Sequence, residues 1–174
     1  MPKVESTQHS AATSDAADVA PAAPGVSFYY EDFTPGRTFR TPAWTATAEN
    51  IVDFARKYDP QYFHLDPDKA KDSIFGGLVC GGFQTAALAW ALALQTGLFE
   101  RSAVAGIGVD ELRWLKPVRE GDSVHVEFTL IDGAASRSRP DIGRTTFRYE
   151  MKNQRGETVL TMKMLQLLKR RPRP

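Results

Sequence analysis

The chain has 174 residues, and its 22 Lys and Arg side chains nearly balance its 21 Asp and Glu side chains, so the net charge is +1. This balance provides no overall field to attract nucleic acid or an anionic membrane. The single cysteine, Cys80, excludes an intramolecular disulfide and a Cys-based metal cluster, and makes a reducing cytoplasm the expected compartment. The most apolar stretch, Phe83 to Leu94, is shorter than the roughly 20 residues that span a bilayer, so no membrane segment is expected.

Composition divides the chain into a tail, one domain and a short basic end. Residues 1–25 are rich in Ala, Pro and Ser and offer almost nothing large and apolar to bury, which predicts a disordered tail. Asp15, Asp18 and Pro21 interrupt any apolar run there, so a secretory signal is not expected. Residues 26–169 suit a single domain with one core. Residues 170–174 are predicted to form a solvated basic tail.

The first elements of the domain are a strand and a helix. The segment from Arg37 to Thr47 is rich in Thr and aromatic residues, which favours a strand, and Pro42 places it near an edge or a bend. Thr47 can cap a following helix whose apolar residues recur at offsets of three and four. That helix should end near Tyr58, because Pro60 disfavours helical geometry at the residue before it.

A loop and a second helix follow. Pro60 to Ile74 is interrupted by two prolines and several charges, so we expect a structured loop with about one helical turn. Phe75 to Gly82 is a glycine-rich lead into the apolar helix from Phe83 to Leu94, and Gly97 is a natural stop for that helix.

Everything after Val104 has strand character. In residues 123–130, apolar residues alternate with polar ones, which is the period of a sheet with one buried face. Residues 143–153 and 157–168 are two more strands joined by a turn, and the polar loop at 133–141 is predicted to be mobile. A helix of mostly Ala and Leu, with strands as its only large partners, must be wrapped by the sheet. We therefore predict an α+β fold, a single hotdog domain with an antiparallel sheet around a long central helix.

Of the three histidines, position favours one for chemistry. His9 lies in the tail, and His125 falls on the polar face of a strand, where we expect a solvated surface residue. His64 lies in the loop, five residues after Asp59, a carboxylate at the end of the first helix. Folded around Pro60, this pair can hold one water between two groups that accept or donate a proton near neutral pH.

Two glycines supply the other half of the predicted site. The first amides of a helix have no internal partner, and with the helix dipole they favour an oxygen that is gaining negative charge. Glycine at Gly81 and Gly82 lets another molecule come close to this backbone. A tight turn that requires small residues is the alternative interpretation of the same glycines.

At this point the sequence resembles a known family. Asp59-Pro60-Gln61-Tyr62-Phe63-His64-Leu65-Asp66, then Ala70 and the Phe75 to Gly82 segment, resembles the motif of MaoC-like dehydratases and (R)-specific enoyl-CoA hydratases. That motif reads Asp-x-Asn-Pro-x-His-x-Asp, then Ala, then Phe-Gly and a small-residue lead into the central helix. The segment from Leu112 to Asp122 is also similar to one common in hotdog proteins. Gln61 stands where the motif has Asn, and Tyr62 where it has Pro.

The resemblance implies a hydratase or dehydratase that moves water across the 2,3 double bond of an enoyl thioester, giving (R)-3-hydroxyacyl-CoA. Asp59 and His64 would hold and activate the water, and a backbone amide at Gly82, or at Gly81, would hold the thioester oxygen. The residues expected to contact the substrate are Gln61, Tyr62 and Phe75.

The resemblance also implies what accompanies the reaction. No metal or redox cofactor is expected. Coenzyme A, or the pantetheine arm of a carrier protein, would be part of the substrate. Basic residues would meet its phosphates, and the sequence leaves five candidates open: Arg113, Lys116, Arg137, Arg139 and Arg144. Since a lone hotdog domain leaves a sheet edge unpaired, a homodimer or higher homo-oligomer is predicted.

Two other functions fit the same architecture. Hotdog thioesterases commonly place an acidic residue on the central helix, but the segment from Phe83 to Thr96 contains no Asp or Glu. A non-catalytic hotdog subunit that binds acyl-CoA is the second alternative, and the altered pair Gln61-Tyr62 together with the long tail favours it.

Overall fold

The computed structural model of the protein describes residues 26–172, so the predicted tail at 1–25 and the last two residues lie outside the described part. A 3₁₀ turn at Tyr30–Asp32 comes first. The helices are α1 (Ala48–Tyr58), α2 (Tyr62–Leu65), α3 (Pro67–Ala70) and α4 (Gly82–Gln95), and the strands are β1 (Thr38–Arg40), β2 (Trp44–Thr45), β3 (Ala103–Trp114), β4 (Ser123–Ala135), β5 (Ile142–Asn153) and β6 (Thr158–Lys169). Among residues 26–172, no helix is long and apolar enough to cross a membrane.

The six strands form one antiparallel sheet around α4. The order is β1-β4-β5-β6-β3, and β2 pairs with β4 beyond the end of β1. Val124, Val126 and Phe128 are fully buried, as the alternation in β4 predicts. Ala89 and Ala93 of α4 are fully buried too, and their small side chains let the helix lie close to the sheet. The predicted hotdog fold is confirmed.

Aromatic rings fill the centre of the core. Phe33 stacks on Phe99 with ring centroids 5.1 Å apart, and Phe39 stacks on Phe128 at 5.3 Å. Phe147 meets Phe33 edge to face at 5.2 Å. Such pairs contribute about 0.5–1.5 kcal/mol each beyond the burial of their area. Trp90 of α4 contacts Phe99 with ring centroids 5.9 Å apart, so this cluster links α4 to the sheet.

The first helix begins and ends where the sequence predicts. The Thr47 side chain accepts a hydrogen bond from the backbone N–H of Asn50, and α1 starts at the next residue. Asp59 is the C-terminal cap, donating its backbone N–H to the Ala55 carbonyl, and Pro60 prevents continuation. Gly97, with φ +76°, follows the end of α4 as predicted.

Three segments differ from the prediction. The strand predicted at Arg37 to Thr47 is split into β1 and β2, because Pro42 offers no N–H to the ladder. The loop after Pro60 contains two short helices, since the Asp66 carboxylate caps α3 by accepting from two backbone amides. The polar loop predicted at 133–141 begins only after Ala135, because β4 continues in register with β5 to that residue.

The basic end of the chain is held by the N-terminal 3₁₀ turn. Arg170 Nε lies 2.9 Å from Glu31 Oε1, and Arg171 Nη2 lies 2.6 Å from Asp32 Oδ1. The backbone N–H of Arg170 also donates to the Asp141 carbonyl. Ion pairs therefore hold these two residues of the predicted tail in place. The sequence did not predict these pairs, because the partners lie more than 130 positions apart.

Candidate active site

The turn after α1 brings the acid and the imidazole together. The backbone N–H of Gln61 donates to the Asp59 carbonyl at 2.7 Å, and α2 starts one residue later. His64 Nε2 then lies 3.5 Å from Asp59 Oδ2. The His64 side chain is 6% exposed and that of Asp59 19%, so both belong to the floor of a recess. The sequence-predicted pair is thus brought face to face.

The other nitrogen of His64 fixes the tautomer. His64 Nδ1 lies 2.7 Å from the Val79 carbonyl oxygen. A carbonyl only accepts, so Nδ1 carries the proton in this hydrogen bond. In the neutral imidazole, Nε2 is then the unprotonated nitrogen, and it is the one that faces Asp59. The ring is oriented and ready to accept a proton at Nε2.

Gln61 acts on the carboxylate. Its Nε2 donates to Asp59 Oδ1 at 2.7 Å, which leaves Oδ2 for the His64 side. Gln61 and Phe75 both line the recess, and Phe75 packs on the ring of Phe63 with centroids 5.2 Å apart. Tyr62 does not line it: its side chain is about half exposed and contacts Phe63. Of the three predicted substrate contacts, two are therefore placed in the recess.

The two glycines at the start of α4 are closely approached, but by the protein itself. Gly81 is the N-terminal cap, and a Cβ there would lie 2.9 Å from Asp59 Oδ2. Gly82 is the first helical residue, and a Cβ there would lie 2.8 Å from Cε2 of Trp114. Glycine at these positions lets the carboxylate and the indole reach the backbone, a reason that the sequence analysis did not contain.

The recess is a cavity of about 500 Å³. Its polar side chains include Asp59, Gln61, His64, Thr85 and Lys116. Four aromatic rings form much of its wall: Phe63, Phe75, Phe83 and Trp114. A larger hollow of about 750 Å³ lies beside the paired Arg170 and Arg171, but no histidine among residues 26–172 lines it. The smaller cavity is the candidate active site because acid, imidazole and free helix amides meet there.

Cys80 also lines the cavity, but its thiol is a weak nucleophile there. Burial, together with the nearby charge of Asp122, raises the pKa of the Cys80 thiol to about 12. The thiol is therefore protonated at neutral pH and a poor nucleophile. Asp59 and His64 remain as the groups able to move protons.

His125 differs from its prediction. Its side chain is only 12% exposed, and its Nε2 lies 3.7 Å from Glu127 Oε1. Burial lowers its pKa, and the charge of Arg40 lowers it further. The prediction of a solvated surface histidine is wrong, because the ring is largely buried beside Glu127 and opposite Lys152 of β5. His125 does not line the candidate active site.

The family model described as "MaoC like domain" matches residues 32–151. The chain belongs to this family. Its curated relatives include the "Uncharacterized protein YdeM" of Bacillus subtilis, 29% identical over 140 residues, which cover 80% of this chain and 98% of that one. A "Mesaconyl-CoA hydratase" of Cereibacter sphaeroides is 43% identical over 60 residues, 34% of this chain and 17% of the relative. The chain is therefore similar, over part of its length, to a protein named as a hydratase.

Solved structures agree with the MaoC-like assignment. The crystal structure of the MaoC-like dehydratase from Rhodospirillum rubrum is 37% identical, covers 84% of this chain and 100% of that one, and superposes with a TM-score of 0.77. Rv0216 from Mycobacterium tuberculosis, described as a double hotdog fold, has a TM-score of 0.72 at 18% identity and covers 85% of this chain and 46% of that one. The second likeness concerns the fold alone.

Two contacts of this MaoC-like site escaped the sequence analysis. The first is the hydrogen bond between His64 and the Val79 carbonyl, which the residue type at position 79 cannot predict because the acceptor is a backbone group. Trp114 reaches the start of α4 from 32 positions away, so the local sequence does not predict the contact. Of the five basic candidates for phosphate contact, Lys116 lines the cavity, where it pairs with Glu157.

No metal ligand set accompanies the site. Within the described part of the chain, no three His, Cys, Asp or Glu side chains are placed to share a metal ion. The expectation that the reaction needs no metal or redox cofactor stays a prediction.

Proposed function

We propose that this MaoC-like protein is a hydro-lyase that adds water to, or removes it from, the 2,3 double bond of an enoyl thioester, with the (R)-3-hydroxyacyl thioester as the hydrated partner. One observation carries the proposal: the Asp59 carboxylate and the His64 imidazole face each other at 3.5 Å, directly beside Gly81 at the start of α4. This arrangement supplies two proton acceptors next to unpaired backbone amides.

The hydrogen bonds around the pair define how a water would bind. Asp59 Oδ2 accepts, and His64 Nε2 accepts in the neutral ring because Nδ1 donates to Val79. A water between them donates one hydrogen to each and presents a lone pair outward. During hydration its oxygen adds to C3 of the enoyl group, one proton passes to the pair, and the pair returns a proton to C2. The hydroxyl group on C3 and the proton on C2 together equal the one water molecule that is added.

The start of α4 would hold the thioester oxygen. Addition at C3 places negative charge on that oxygen as the enolate forms. The amides of Gly81 and Gly82 lie at the positive end of the helix dipole and have no partner within the helix. Their hydrogen bonds strengthen as the charge develops, so they lower the barrier more than they tighten substrate binding.

The cavity suits a thioester carried on a phosphate-bearing handle. Aromatic rings line the wall, and Lys116 stands at the wall with its side chain half exposed. We propose coenzyme A or a carrier-bound pantetheine as that handle, with Lys116 exchanging Glu157 for a phosphate. Within α4 there is no Asp or Glu to serve a thioesterase, and the neutral Cys80 thiol gives no covalent alternative.

An enoyl-CoA assay tests the proposal. The purified protein is incubated with crotonyl-CoA, and loss of the enoyl-thioester absorbance is followed beside Asp59→Asn, His64→Ala and a His125→Ala control. Turnover that is unchanged in the Asp59 and His64 variants would mean that the site lies elsewhere. Release of free thiol with no loss of the double bond would assign a thioesterase, and tight binding without either reaction would assign a non-catalytic subunit.

We also propose that two copies join through the edge strand β3. Val104, Ile107 and Val109 on β3 are each 44–48% exposed, and no strand among residues 26–172 pairs with the outer side of β3. An apolar groove of about 670 Å³ beside it is lined by Phe83 and Trp90 of α4 and by Met162 and Met164 of β6, among others. A second β3 satisfies the unpaired edge and covers this groove.

Light scattering after size-exclusion chromatography tests the assembly. We expect twice the mass of one chain or a higher multiple, and a monomer at micromolar concentration would contradict the proposal. Val109→Lys places a charge in the proposed interface and should dissociate it. Ile74→Lys is the matched control, because Ile74 is 96% exposed on a loop outside the groove and should leave the mass unchanged.

A further inference from the structure

Trp114, the last residue of β3, makes a contact unusual for a half-exposed tryptophan. Its side chain is 49% exposed, so water is available to its N–H. Trp114 Nε1 nevertheless donates to the Gly82 carbonyl at 2.8 Å, and its ring meets Phe83 edge to face with centroids 5.6 Å apart. The indole is thus directed at the first turn of α4 and not at solvent.

This hydrogen bond falls on the peptide group that follows the proposed oxyanion amide. The Gly82 carbonyl and the Phe83 N–H belong to one peptide unit, and donors bound to the carbonyl polarise the N–H of the same unit. In the first turn of a helix, the Phe83 N–H has no partner within the helix. Trp114 therefore orients this unit and strengthens a free donor at the mouth of the site.

The neighbouring peptide unit is held by a different and more ordinary contact. The Gly81 carbonyl accepts from the Thr85 hydroxyl at 3.0 Å, the common bond of a helical Thr to the carbonyl four residues earlier. Two successive peptide units thus have side-chain donors on their carbonyls. The Trp114 contact is the one that depends on tertiary structure, since it links β3 to α4 across 32 positions.

Packing around the glycines shows how tightly the turn is held. Asp59 Oδ2 occupies the space of a side chain at Gly81, and the Trp114 ring occupies that space at Gly82. Both residues also line the cavity. The start of α4 is thus clamped between the acid on one side and the indole on the other.

We infer that Trp114 is a positioning residue, which sets the Gly82–Phe83 peptide unit so that the Phe83 N–H joins the Gly82 N–H in binding the thioester oxygen. The inference rests on the proposed function for its catalytic consequence. The hydrogen bond and its effect on the Phe83 amide stand independently of which reaction the site performs.

The test is Trp114→Phe, which keeps an aromatic ring and removes the donor. In the crotonyl-CoA assay we expect kcat to fall about tenfold, a modest part of the loss that removal of a direct oxyanion donor causes. KM should change less than twofold, and Tm should stay close to that of the parent because the side chain is half exposed. The control Trp44→Phe, in β2 and outside the cavity, should leave kcat and KM as they are, while its Tm should fall because Trp44 packs against the core. An unchanged kcat in Trp114→Phe, or a loss of kcat accompanied by an equal loss in Trp44→Phe, would overturn the inference.

A second measurement separates this inference from the proposed function. The ¹⁵N–¹H resonance of the Phe83 amide should shift in Trp114→Phe and not in Trp44→Phe, whether or not the protein hydrates crotonyl-CoA. Binding of saturated butyryl-CoA should move the same resonance in the parent protein. If the parent is inert, the proposed function fails while these shifts still decide the role of Trp114. A Phe83 resonance that is the same in parent and variant would overturn the inference.

Discussion

The described residues 26–172 contain two histidine–carboxylate pairs with nearly the same separation and very different surroundings. His64 Nε2 lies 3.5 Å from Asp59 Oδ2, and His125 Nε2 lies 3.7 Å from Glu127 Oε1. Both imidazoles are largely buried. A distance alone therefore does not distinguish a candidate catalytic pair from a structural one.

The differences lie in what else each pair touches. Glu127 is already neutralised by Lys152, whose Nζ lies 2.5 Å from Oε2, and the charge of Arg40 acts on His125. Around His64, in contrast, the polar partners are the Val79 carbonyl and Asp59, and a cavity opens beside them. The Asp59–His64 pair is the candidate catalytic pair because a cavity and the backbone amides at the start of α4 lie next to it. Three sets of substitutions test this difference between the two pairs.

The largest effect should follow from breaking the Asp59–His64 pair. Asp59→Asn and His64→Ala each remove one proton acceptor, so we expect hydration of crotonyl-CoA to fall by about 10³-fold, within the usual range for general acid–base catalysis. His125→Ala should keep activity within a factor of about two, because that ring does not line the cavity. A comparable loss in all three variants would mean that the two pairs do not differ in function.

A smaller effect should follow from crowding Asp59. In Gly81→Ala the added methyl group would lie 2.9 Å from Asp59 Oδ2, so the carboxylate must turn away from His64. We expect kcat to fall about 10- to 100-fold, since small displacements of a reacting group are costly. Gly133→Ala in β4 is the matched control, because a Cβ there meets nothing closer than Tyr30 at 3.4 Å and the residue does not line the cavity. A crystal structure of Gly81→Ala with Asp59 undisturbed would contradict this expectation.

The smallest effect concerns the pH dependence of stability at His125. Its pKa in the folded protein is lowered from the ordinary value of 6.5, chiefly by burial. The unfolded chain then binds more protons as the pH falls through this region, so the free energy of unfolding should decrease below about pH 6.5. His125→Gln should flatten that decrease. Urea unfolding at pH 5 and pH 7.5 measures it, and an equal decrease in parent and variant would show that other groups cause it.

The sequence predicted the parts of the molecule that follow from local rules. Thr47 marks the start of α1 because it caps the helix, and Pro60 marks its end because proline is sterically incompatible with its continuation. The alternation of apolar and polar residues in β4 indicated which face of that strand is buried. The Asp59-to-His64 spacing identified the pair, because the motif lies within a single turn. The cap that Asp66 provides for α3 also follows a local rule, although the sequence analysis assigned that segment to a loop.

The remaining features depend on tertiary structure. The tautomer of His64 is set by the carbonyl of Val79, which any residue at that position supplies. The indole of Trp114 arrives from another strand, and the burial of His125 comes from its neighbours on the outer face. Charges at both ends of the described chain, such as Glu31 and Arg170, pair only once the sheet has formed. These contacts could not be predicted from the sequence and are seen only in the three-dimensional structure.

The contact between Asp59 and Gly81 separates the residues proposed for catalysis from those that would set substrate choice. Asp59, the proposed proton carrier, lies against the backbone proposed to stabilise the developing negative charge. Gln84 of α4 also donates to the Asn50 carbonyl of α1, so the same two helices are connected a second time. The proposed chemistry thus lies at the junction of α1 and α4. Phe75 and Lys116 line the cavity away from that junction, so substitutions at Phe75 would change which acyl groups enter, and substitutions at Lys116 would change how the phosphate-bearing handle binds, without altering the Asp59–His64 pair.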